Sequence, residues 1–158
     1  MWVFDITYPP SSSGYLYLCQ IKDICTKKIV GWSMDSNMKT EMVLLALNNA
    51  VKTQRPPEDL IFHSDRGSHC ASKYFRDALS SFRMKQSMSR KGNCYDNAPA
   101  ESFFSTIKRE FRNHRKFKNL KDAKTAIFEY IEIFYNRKRI HSAIGYKTPI
   151  QFEEEFTA

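Results

Sequence analysis

The order of elements along the chain predicts an α/β protein, with a five-stranded mixed sheet and helices on both faces. Three β-rich segments come first, and helices then alternate with two more short strands, giving the order βββαβαβ, a loop and two helices. The 158 residues are 42% hydrophobic, which is enough for one buried core and argues against a disordered chain. No apolar run approaches the length of a membrane span, so no membrane partner is expected.

Five short segments have the composition of strands. The first, WVFDITY, precedes a turn at Pro-Pro-Ser-Ser-Ser-Gly. The next two are separated by a turn around Asp23–Lys27 and are predicted to form a hairpin. A later run, DLIFH, is short and continuously apolar, as in a buried strand. The predicted strands are residues 2–8, 15–22, 28–34, 59–63 and about 84–88.

The helices are predicted from apolar periodicity and from their boundaries. The first stops before Pro56-Pro57, and Pro99 lies in the first turn of the third, where proline is favoured. The polar stretch SRKGNCYDN before that helix is expected to be a mobile loop. The predicted helices are residues 39–53, about 71–82, about 98–112 and about 120–137.

No interdomain linker or internal repeat divides the chain. We therefore expect a single domain over residues 1–158. It would consist of a core at about 1–118 and a C-terminal helix and basic segment at about 119–158.

Positive charge is concentrated in the second half of the chain. Residues 85–147 carry 15 Lys and Arg against 6 Asp and Glu, whereas residues 1–84 carry 10 against 8. Residues 148–158 carry none against 3. A basic half on a globular domain favours a polyanionic partner, of which nucleic acid is the commonest, although a solvated basic face would have the same composition.

The N-terminus and the cysteines indicate the compartment. The N-terminus has no basic leader or small-residue cleavage site, which predicts a cytoplasmic protein. The four cysteines and four histidines lack the short paired spacing of a zinc site, so reduced, packed thiols are expected.

Three carboxylates are candidates for one metal site. Asp5 lies in an apolar, aromatic strand, where a buried acid without a partner is costly. Asp65 directly follows the strand IFHS, and ligands collect at such strand ends in α/β sheets. Glu101 lies in the first turn of a helix. Structural explanations stay open for all three: an edge-strand acid, a turn former or N-cap, and a carboxylate favoured by the helix dipole.

The separation of 36 residues between Asp65 and Glu101 carries little information by itself. What distinguishes this pair is its surroundings, because Lys108 lies two helical turns after Glu101 on the same face. Asn97 shares that face if the helix starts early enough. The four acid pairs with this separation are Asp5/Glu41, Asp23/Asp59, Asp65/Glu101 and Asp96/Glu132.

These motifs together resemble the OrfB transposases of bacterial insertion sequences, which are DDE transposases with the retroviral-integrase catalytic core. The resemblance extends from about Trp2 to Phe152 and is most specific between His63 and Lys108. Phe4 departs from the pattern, since the family usually has a small polar residue there. After WVFDITY, the matching motifs are HSDRG, SMSRKGNCYDNAPAESFFSTIK and YNRKRIHSAIGYKTPIQF.

The resemblance implies an RNase H-like fold with Asp5, Asp65 and Glu101 as an acidic catalytic triad. Asp5 would bridge two Mg²⁺ or Mn²⁺ ions, each held further by one of the other two acids. Such a pair of ions supports DNA cleavage and strand transfer by in-line phosphoryl transfer. The basic residue that the family carries seven positions after its glutamate corresponds to Lys108.

Further residues are expected to contact DNA phosphates or to support the site. Arg90 and Lys91, with Lys108, would lie near the scissile bond. Arg137 and Arg139 could grip DNA or cap the preceding helix. His63 is expected to pack or to form a hydrogen bond at the end of its strand.

Two other functions stay open: an RNase H-like nuclease acting on RNA–DNA hybrids, and an inactive DNA-binding remnant of a transposase. The expected partners are insertion-element ends and target DNA, in a bacterial, nucleoid-associated protein. Transposition joins two ends and fits a homodimer or larger synaptic complex, whereas an isolated core fits a monomer. Family members generally carry an N-terminal helix-turn-helix region. Because this chain begins almost at the first catalytic strand, we expect that region to be absent.

Overall fold

A computed structural model describes residues 1–9, 11–12, 14–90, 98–110 and 116–158, with the helical backbone alone at 99–101. Its strands are β1 Trp2–Thr7, β2 Tyr17–Asp23, β3 Ile29–Asp35, β4 Ile61–Ser64 and β5 Lys85–Met88. Its α-helices are α1 Thr40–Gln54, α2 Ser68–Ala71, α3 Lys73–Ser81, α4 Ala98–Glu110, α5 Leu120–Phe128 and α6 Pro149–Thr157. A π-helical segment, Glu129–Tyr135, continues α5, and a 3-10 turn covers Ser142–Ile144.

The five strands form one mixed sheet in the order β3-β2-β1-β4-β5. The first three strands pair antiparallel, β4 is parallel to β1, and β5 is parallel to β4. The central position of β1 places the end of β4 beside it. The predicted mixed sheet and the hairpin are therefore confirmed, with strand ends within two residues of the predicted ones.

Side chains of β1 alternate between two hydrophobic cores, one on each face of the sheet. Trp2 and Phe4 point into a core closed by α1 and α3. Thr7 lies opposite Leu18, which belongs to a second core closed by α4 and α5. Asp5 has the same parity as Thr7 and therefore faces the α4 side. Helices on both faces are thus confirmed.

Helix α1 packs directly on β3 because Gly31 leaves room for it. A Cβ at Gly31 would lie 2.4 Å from the carbonyl oxygen of Ala46 and 2.7 Å from the Cβ of Ala50. Neither neighbour is the end of a flexible side chain. Any larger residue would therefore push the helix away from the sheet.

The helix predicted at about 71–82 is α3, and an additional short helix, α2, precedes it. Ser72 separates them in an extended conformation, and its Oγ accepts a hydrogen bond of 3.2 Å from the N–H of Phe75. Serine is a favoured N-cap because its oxygen satisfies a first-turn N–H, so a new helix begins at Lys73.

Helix α6 was not among the predicted elements, although its start is encoded locally. Thr148 Oγ1 accepts from the N–H of Gln151 at 3.2 Å, and Gln151 Oε1 accepts from the N–H of Thr148 at 3.0 Å. Pro149 occupies the first turn. The motif Thr-Pro-Ile-Gln is thus a capping box followed by proline, which predicts a helix start.

The buried side chain of Asn136 ties the C-terminal segment to the edge strand β3. Its Oδ1 accepts from the N–H of Ile29 at 2.9 Å, and its Nδ2 donates to the Ile29 carbonyl at 3.0 Å. The Asn136 carbonyl accepts from the N–H of Ile150 in α6. One amide therefore acts as a strand partner for β3 while its backbone holds the last helix.

Arg139 and His141 tie the same segment to α4. Arg139 Nε donates to Glu110 Oε1 at 2.7 Å, and its NH1 lies 3.2 Å from His141 Nδ1. Arginine is only a donor, so His141 Nδ1 must accept and carry no proton. Burial, then Arg139 and Lys22, lower the pKa of His141 to about 4. His141 is therefore neutral at physiological pH.

None of the helices in the described ranges combines the length and the hydrophobicity that crossing a bilayer requires.

Replacing Asn136 by Ala should destabilise the fold, because the buried N–H and C=O of Ile29 lose their partners. We expect the free energy of unfolding to fall by about 2–4 kcal/mol in urea denaturation. Asn48→Ala, on the exposed side of α1, is the matched control and should cost about 0.5 kcal/mol or less. Equal losses in the two variants would contradict the role given to Asn136.

The low pKa of His141 predicts a loss of stability in mild acid. Between about pH 6.5 and about pH 4 the unfolded chain binds a proton at this residue and the folded chain does not, so stability falls as the pH falls. Thermal unfolding at about pH 7.5 and about pH 5 should show a smaller acid-induced decrease in Tm for His141→Gln than for the wild type. An identical decrease would exclude His141 as a source of acid sensitivity.

Candidate active site

Asp5 lies in β1, and Asp65 directly follows β4, the strand beside it. In the parallel pairing of β1 with β4, Trp2 lies opposite Phe62 and Val3 opposite His63. Continuing the same register along both strands brings Asp5 opposite Asp65. The two carboxylates therefore come from adjacent strands of the sheet, at the carboxyl end of β4, where α/β proteins place ligands.

Asp5 and Asp65 line the same cavity, which has a volume of about 210 Å³. Asp5 is half-buried and Asp65 is exposed, so the cavity opens to solvent on the side of Asp65. The structure thus brings together two of the three acids predicted from the sequence. The remaining lining residues are Phe4, Ile6, Tyr8, Met38, Gly67, Ser68, His69 and Cys70.

The turn after β4 orients the carboxylate of Asp65. Its Oδ1 accepts from the N–H of Gly67 at 2.9 Å, which is an Asx turn. A Cβ at residue 67 would lie 2.9 Å from that oxygen, so glycine leaves the carboxylate its space. The turn-forming explanation for Asp65 is therefore correct, and it is compatible with a ligand role because the turn uses only one carboxylate oxygen, Oδ1.

The carboxylate of Asp5 is held close to its own strand. Its Oδ1 accepts from the N–H of Ile6 at 2.9 Å. Across the antiparallel pair it lies opposite Gln20, which is fully buried. Asp5 is thus on a central strand, and the explanation as an edge-strand acid is wrong.

His63 joins the ends of β4 and β5 next to Asp65. Its Nδ1 lies 3.0 Å from Ser87 Oγ and its Nε2 lies 3.1 Å from Ser89 Oγ. Arg66 adds a hydrogen bond of 2.8 Å from Nε to the Ser89 carbonyl. The predicted strand-end hydrogen bond of His63 is confirmed. This cluster anchors residue 89, where the polar stretch begins.

Ser87, Ser89 and Arg66 were not predicted to support the site. The alternation in SMS is the signal that could have identified the serines, because residues 87 and 89 of one strand point to the same face as His63 on its neighbour.

Cys70 lines the cavity as an uncharged thiol. Burial is the main reason that its pKa rises to about 12, and the negative charges of Asp65 and Asp5 raise it further. A thiolate is the form of cysteine that binds metals. At neutral pH, Cys70 therefore contributes packing, and the oxygen ligands facing the cavity come from the two aspartates.

Helix α4 packs against β1 on the face to which Asp5 belongs. Phe103, Phe104 and Ile107 are buried in the second core, whereas Lys108 is exposed. Seven helical residues turn the chain by about 700°, so Glu101 and Lys108 point within about 20° of one direction. Glu101 lies in the first turn of α4, and its side chain lies outside the described part of the structure.

The other predicted DNA contacts are distributed over two regions. Arg90 and Arg137 are exposed, whereas Arg139 is half-buried in its ion pair with Glu110. Arg139 therefore also has a structural role, beyond the helix cap or DNA contact considered from sequence. Lys91 and Asn97 lie outside the described residues.

The cavity presents oxygen ligands from two aspartates. Within the residues whose side chains the structure describes, no three His, Cys, Asp or Glu form a group that could hold a metal ion. That statement does not include Glu101. Two adjacent carboxylates fit a hard divalent cation, which prefers oxygen ligands and accepts water at its other positions.

Comparison with known sequences gives a consistent family. The model of the integrase core domain matches residues 1–94, and a second integrase core domain model matches residues 82–149. An insertion element IS600 uncharacterized 31 kDa protein of Shigella sonnei is 48% identical over 156 residues, covering 99% of this chain and 57% of that protein.

Two relatives are named as transposases. The transposase for insertion sequence element IS904 of Lactococcus lactis is 44% identical, and the match covers 98% of this chain and 61% of that protein. Transposase InsF for insertion sequence IS3A of Escherichia coli is 38% identical, and the match covers 98% of this chain and 54% of that protein. The chain therefore spans between 54% and 61% of the length of these relatives.

Solved structures share the fold at low sequence identity. The HTLV-2 integrase catalytic core domain in complex with magnesium has a TM-score of 0.71 at 16% identity, covering 96% of this chain and 93% of that one. A chain of the simian T-cell lymphotropic virus intasome in complex with PP2A regulatory subunit B56 gamma has a TM-score of 0.77 at 16% identity, and the match covers 96% of this chain and 52% of that one. The fold is thus RNase H-like. The match of the integrase core domain model to residues 1–94 shows that this chain belongs to the integrase core domain family.

Proposed function

We propose that this chain is the catalytic core of an insertion-sequence DDE transposase, which cleaves DNA and transfers strands by in-line phosphoryl transfer. The observation that supports this proposal most is that Asp5, on β1, and Asp65, just after the neighbouring strand β4, line the same cavity. The family membership and the relatives named as transposases agree with it. We also propose that residues 1–158 form one domain, because the five strands belong to a single sheet.

The proposed metal ligands are the carboxylates of Asp5, Asp65 and Glu101. When bound, two Mg²⁺ or Mn²⁺ ions supply a deprotonated nucleophile and stabilise the leaving oxygen. The oxygen-only ligand set supports this choice, as does the magnesium in the HTLV-2 integrase core. Both the number of ions and the role of Glu101 are part of the proposal.

The protein's own residues would act by holding these carboxylates in place. The N–H of Gly67 fixes one oxygen of Asp65, and the N–H of Ile6 fixes one oxygen of Asp5. His63 and Arg66 hold the adjoining strand end. Positioning of this kind lowers the entropic part of the barrier, and no covalent intermediate with a Ser or Tyr is required.

DNA is the proposed partner, with insertion-element ends and target DNA as substrates. Lys108, Arg90 and Arg137 are exposed cations that can bind phosphates without reading the base sequence. Lys91, Asn97 and Arg139 belong to the same proposal. The comparison structures include dimeric and trimeric forms of an integrase core, and for this chain a homodimer or larger synaptic complex at the bacterial nucleoid is proposed.

Replacing Asp65 by Asn should abolish metal-dependent DNA cleavage while preserving the Asx turn, because the amide oxygen still accepts from Gly67. Loss of groups that only orient ligands costs about 10–100-fold, so loss of a ligand should reduce Mn²⁺-dependent nicking at least about 100-fold. The measurement is nicking and strand transfer on DNA carrying element ends. Asp77→Asn, on an exposed position of α3, is the control and should retain full activity.

The same assay separates the proposed function from its alternatives. Full activity of Asp65→Asn would refute the metal-ligand assignment. Cleavage of an RNA–DNA hybrid in preference to duplex DNA would identify a nuclease of the RNase H type. An inactive DNA-binding remnant predicts no carboxylate-dependent binding of Mg²⁺ in calorimetry, even with DNA present.

Replacing Lys108 by Gln should weaken DNA binding uniformly across sequences. A single phosphate contact contributes about one unit to the slope of log affinity against log salt, so the slope should fall by about one. The measurement is fluorescence anisotropy with a DNA duplex at several salt concentrations. Arg109→Gln removes the same charge from the neighbouring exposed position. An equal effect of both variants would indicate general electrostatic attraction instead of a specific contact.

A further inference from the structure

A second cavity lies beside α4 and is lined by basic residues from distant parts of the chain. It has a volume of about 420 Å³. Lys22 comes from β2, Lys27 from the turn between β2 and β3, and Ser102 from α4. Arg139 and His141 come from the C-terminal segment. We call these five residues the basic pocket.

Positive charge dominates this pocket. Three of its residues are cations, and among the described lining residues there is no Asp or Glu. The carboxylate of Glu110 offsets the charge of Arg139 in part, since its Oε1 accepts from Arg139 Nε at 2.7 Å. The NH1 group of Arg139 lies against the neutral ring of His141. Counted over the described residues, the pocket and this ion pair together carry a net positive charge.

Lys22 is the most buried of the three cations, with 6% of its surface exposed. Its Nζ lies 3.2 Å from Ser102 Oγ. Burial, and then the charges of Lys27 and Arg139, lower the pKa of Lys22 to about 8. An anion in the cavity would be attracted by all three cations.

We propose that the basic pocket binds a phosphate group of the DNA backbone. A cavity of this volume accommodates a phosphate with part of its sugar. Two ammonium groups, a guanidinium and a hydroxyl offer the donors that a phosphate oxyanion accepts. DNA as the source of the phosphate rests on the proposed function.

The register of the sheet places the pocket close to the acids. On β2, Gln20 lies opposite Asp5 and Lys22 lies opposite Val3. Gln20 and Lys22 are thus two residues, or about 7 Å, apart along β2, and their side chains lie on the same face of the sheet. The pocket would therefore hold a phosphate near the reacting one and position the strand along α4.

The test uses two pocket variants and one matched control. Lys27→Gln changes a half-exposed turn residue, and Lys22→Gln changes the buried one. Lys52→Gln removes the same charge from an exposed position of α1, on the opposite face of the sheet. Because Lys22→Gln could disturb folding, circular dichroism accompanies it, and Lys27→Gln decides the outcome if Lys22→Gln is unfolded.

DNA affinity is measured by fluorescence anisotropy in the full chain, in the absence of divalent metal and at several salt concentrations. We expect each pocket variant to weaken binding about 5–10-fold and to reduce the salt slope by about one, with less than about twofold loss for Lys52→Gln. If the pocket variants behave as the control does, the proposal is overturned.

A second measurement distinguishes DNA from free phosphate. Inorganic phosphate should raise the Tm of the wild type more than that of Lys27→Gln, because a ligand that binds only the folded state stabilises it. If phosphate does so while DNA affinity is unchanged in both pocket variants, the pocket binds a free anion and the assignment to DNA is wrong.

Metal-dependent nicking by the wild type separates this inference from the proposed function. An inactive wild type whose DNA binding still depends on Lys27 would refute the transposase function alone. If the wild type is active and the pocket variants bind DNA as tightly as Lys52→Gln does, only the phosphate-binding role of the pocket is refuted.

Discussion

The parallel pairing of β1 with β4 is the interaction on which the candidate site depends. It offsets the two strands by a constant register, so Asp5 and Asp65 come to lie side by side although sixty positions separate them in the sequence. A slip of one residue would turn Asp5 to the opposite face of the sheet, into the core that contains Phe4. The carboxylate would then be buried among aromatic rings, and that cost disfavours the alternative register.

Packing on both faces of the sheet maintains this register. On the α1 side, the ring of Phe62 lies 6.2 Å from that of Phe4 and 5.5 Å from that of Phe75, so both strands share one aromatic cluster with α3. On the α4 side, His63 bonds to Ser87 and Ser89 and so fixes β5 against β4. The acids thus lie at the boundary between an apolar cluster and a polar one, and both restrict how the strands can move.

Local patterns predicted most elements of the fold, but not their neighbours in the sheet. The strands and α1 were located within two residues because alternation and helical periodicity are local properties. Motif resemblance selected Asp5 and Asp65, whereas their adjacency follows from a β1–β4 pairing that no local pattern contains. The short helix α2 was not predicted because four residues are too few to show a helical period. The capping box of α6 was readable at Thr148 and was overlooked. The π-helical segment after Phe128 has the same apolar spacing as an α-helix, so the sequence could not distinguish them.

The basic C-terminal segment around residues 136–141 has structural contacts that do not depend on DNA. Asn136 completes the hydrogen bonding of Ile29 on the edge strand, and Arg139 pairs with Glu110 in α4. The segment therefore holds α4 against the sheet, and with it Lys108 and the backbone of Glu101. The same docking brings Arg139 to Lys22 and Lys27, which are distant in sequence. The position of α4, which carries the proposed ligand Glu101, and the lining of the basic pocket therefore depend on the same segment of the chain.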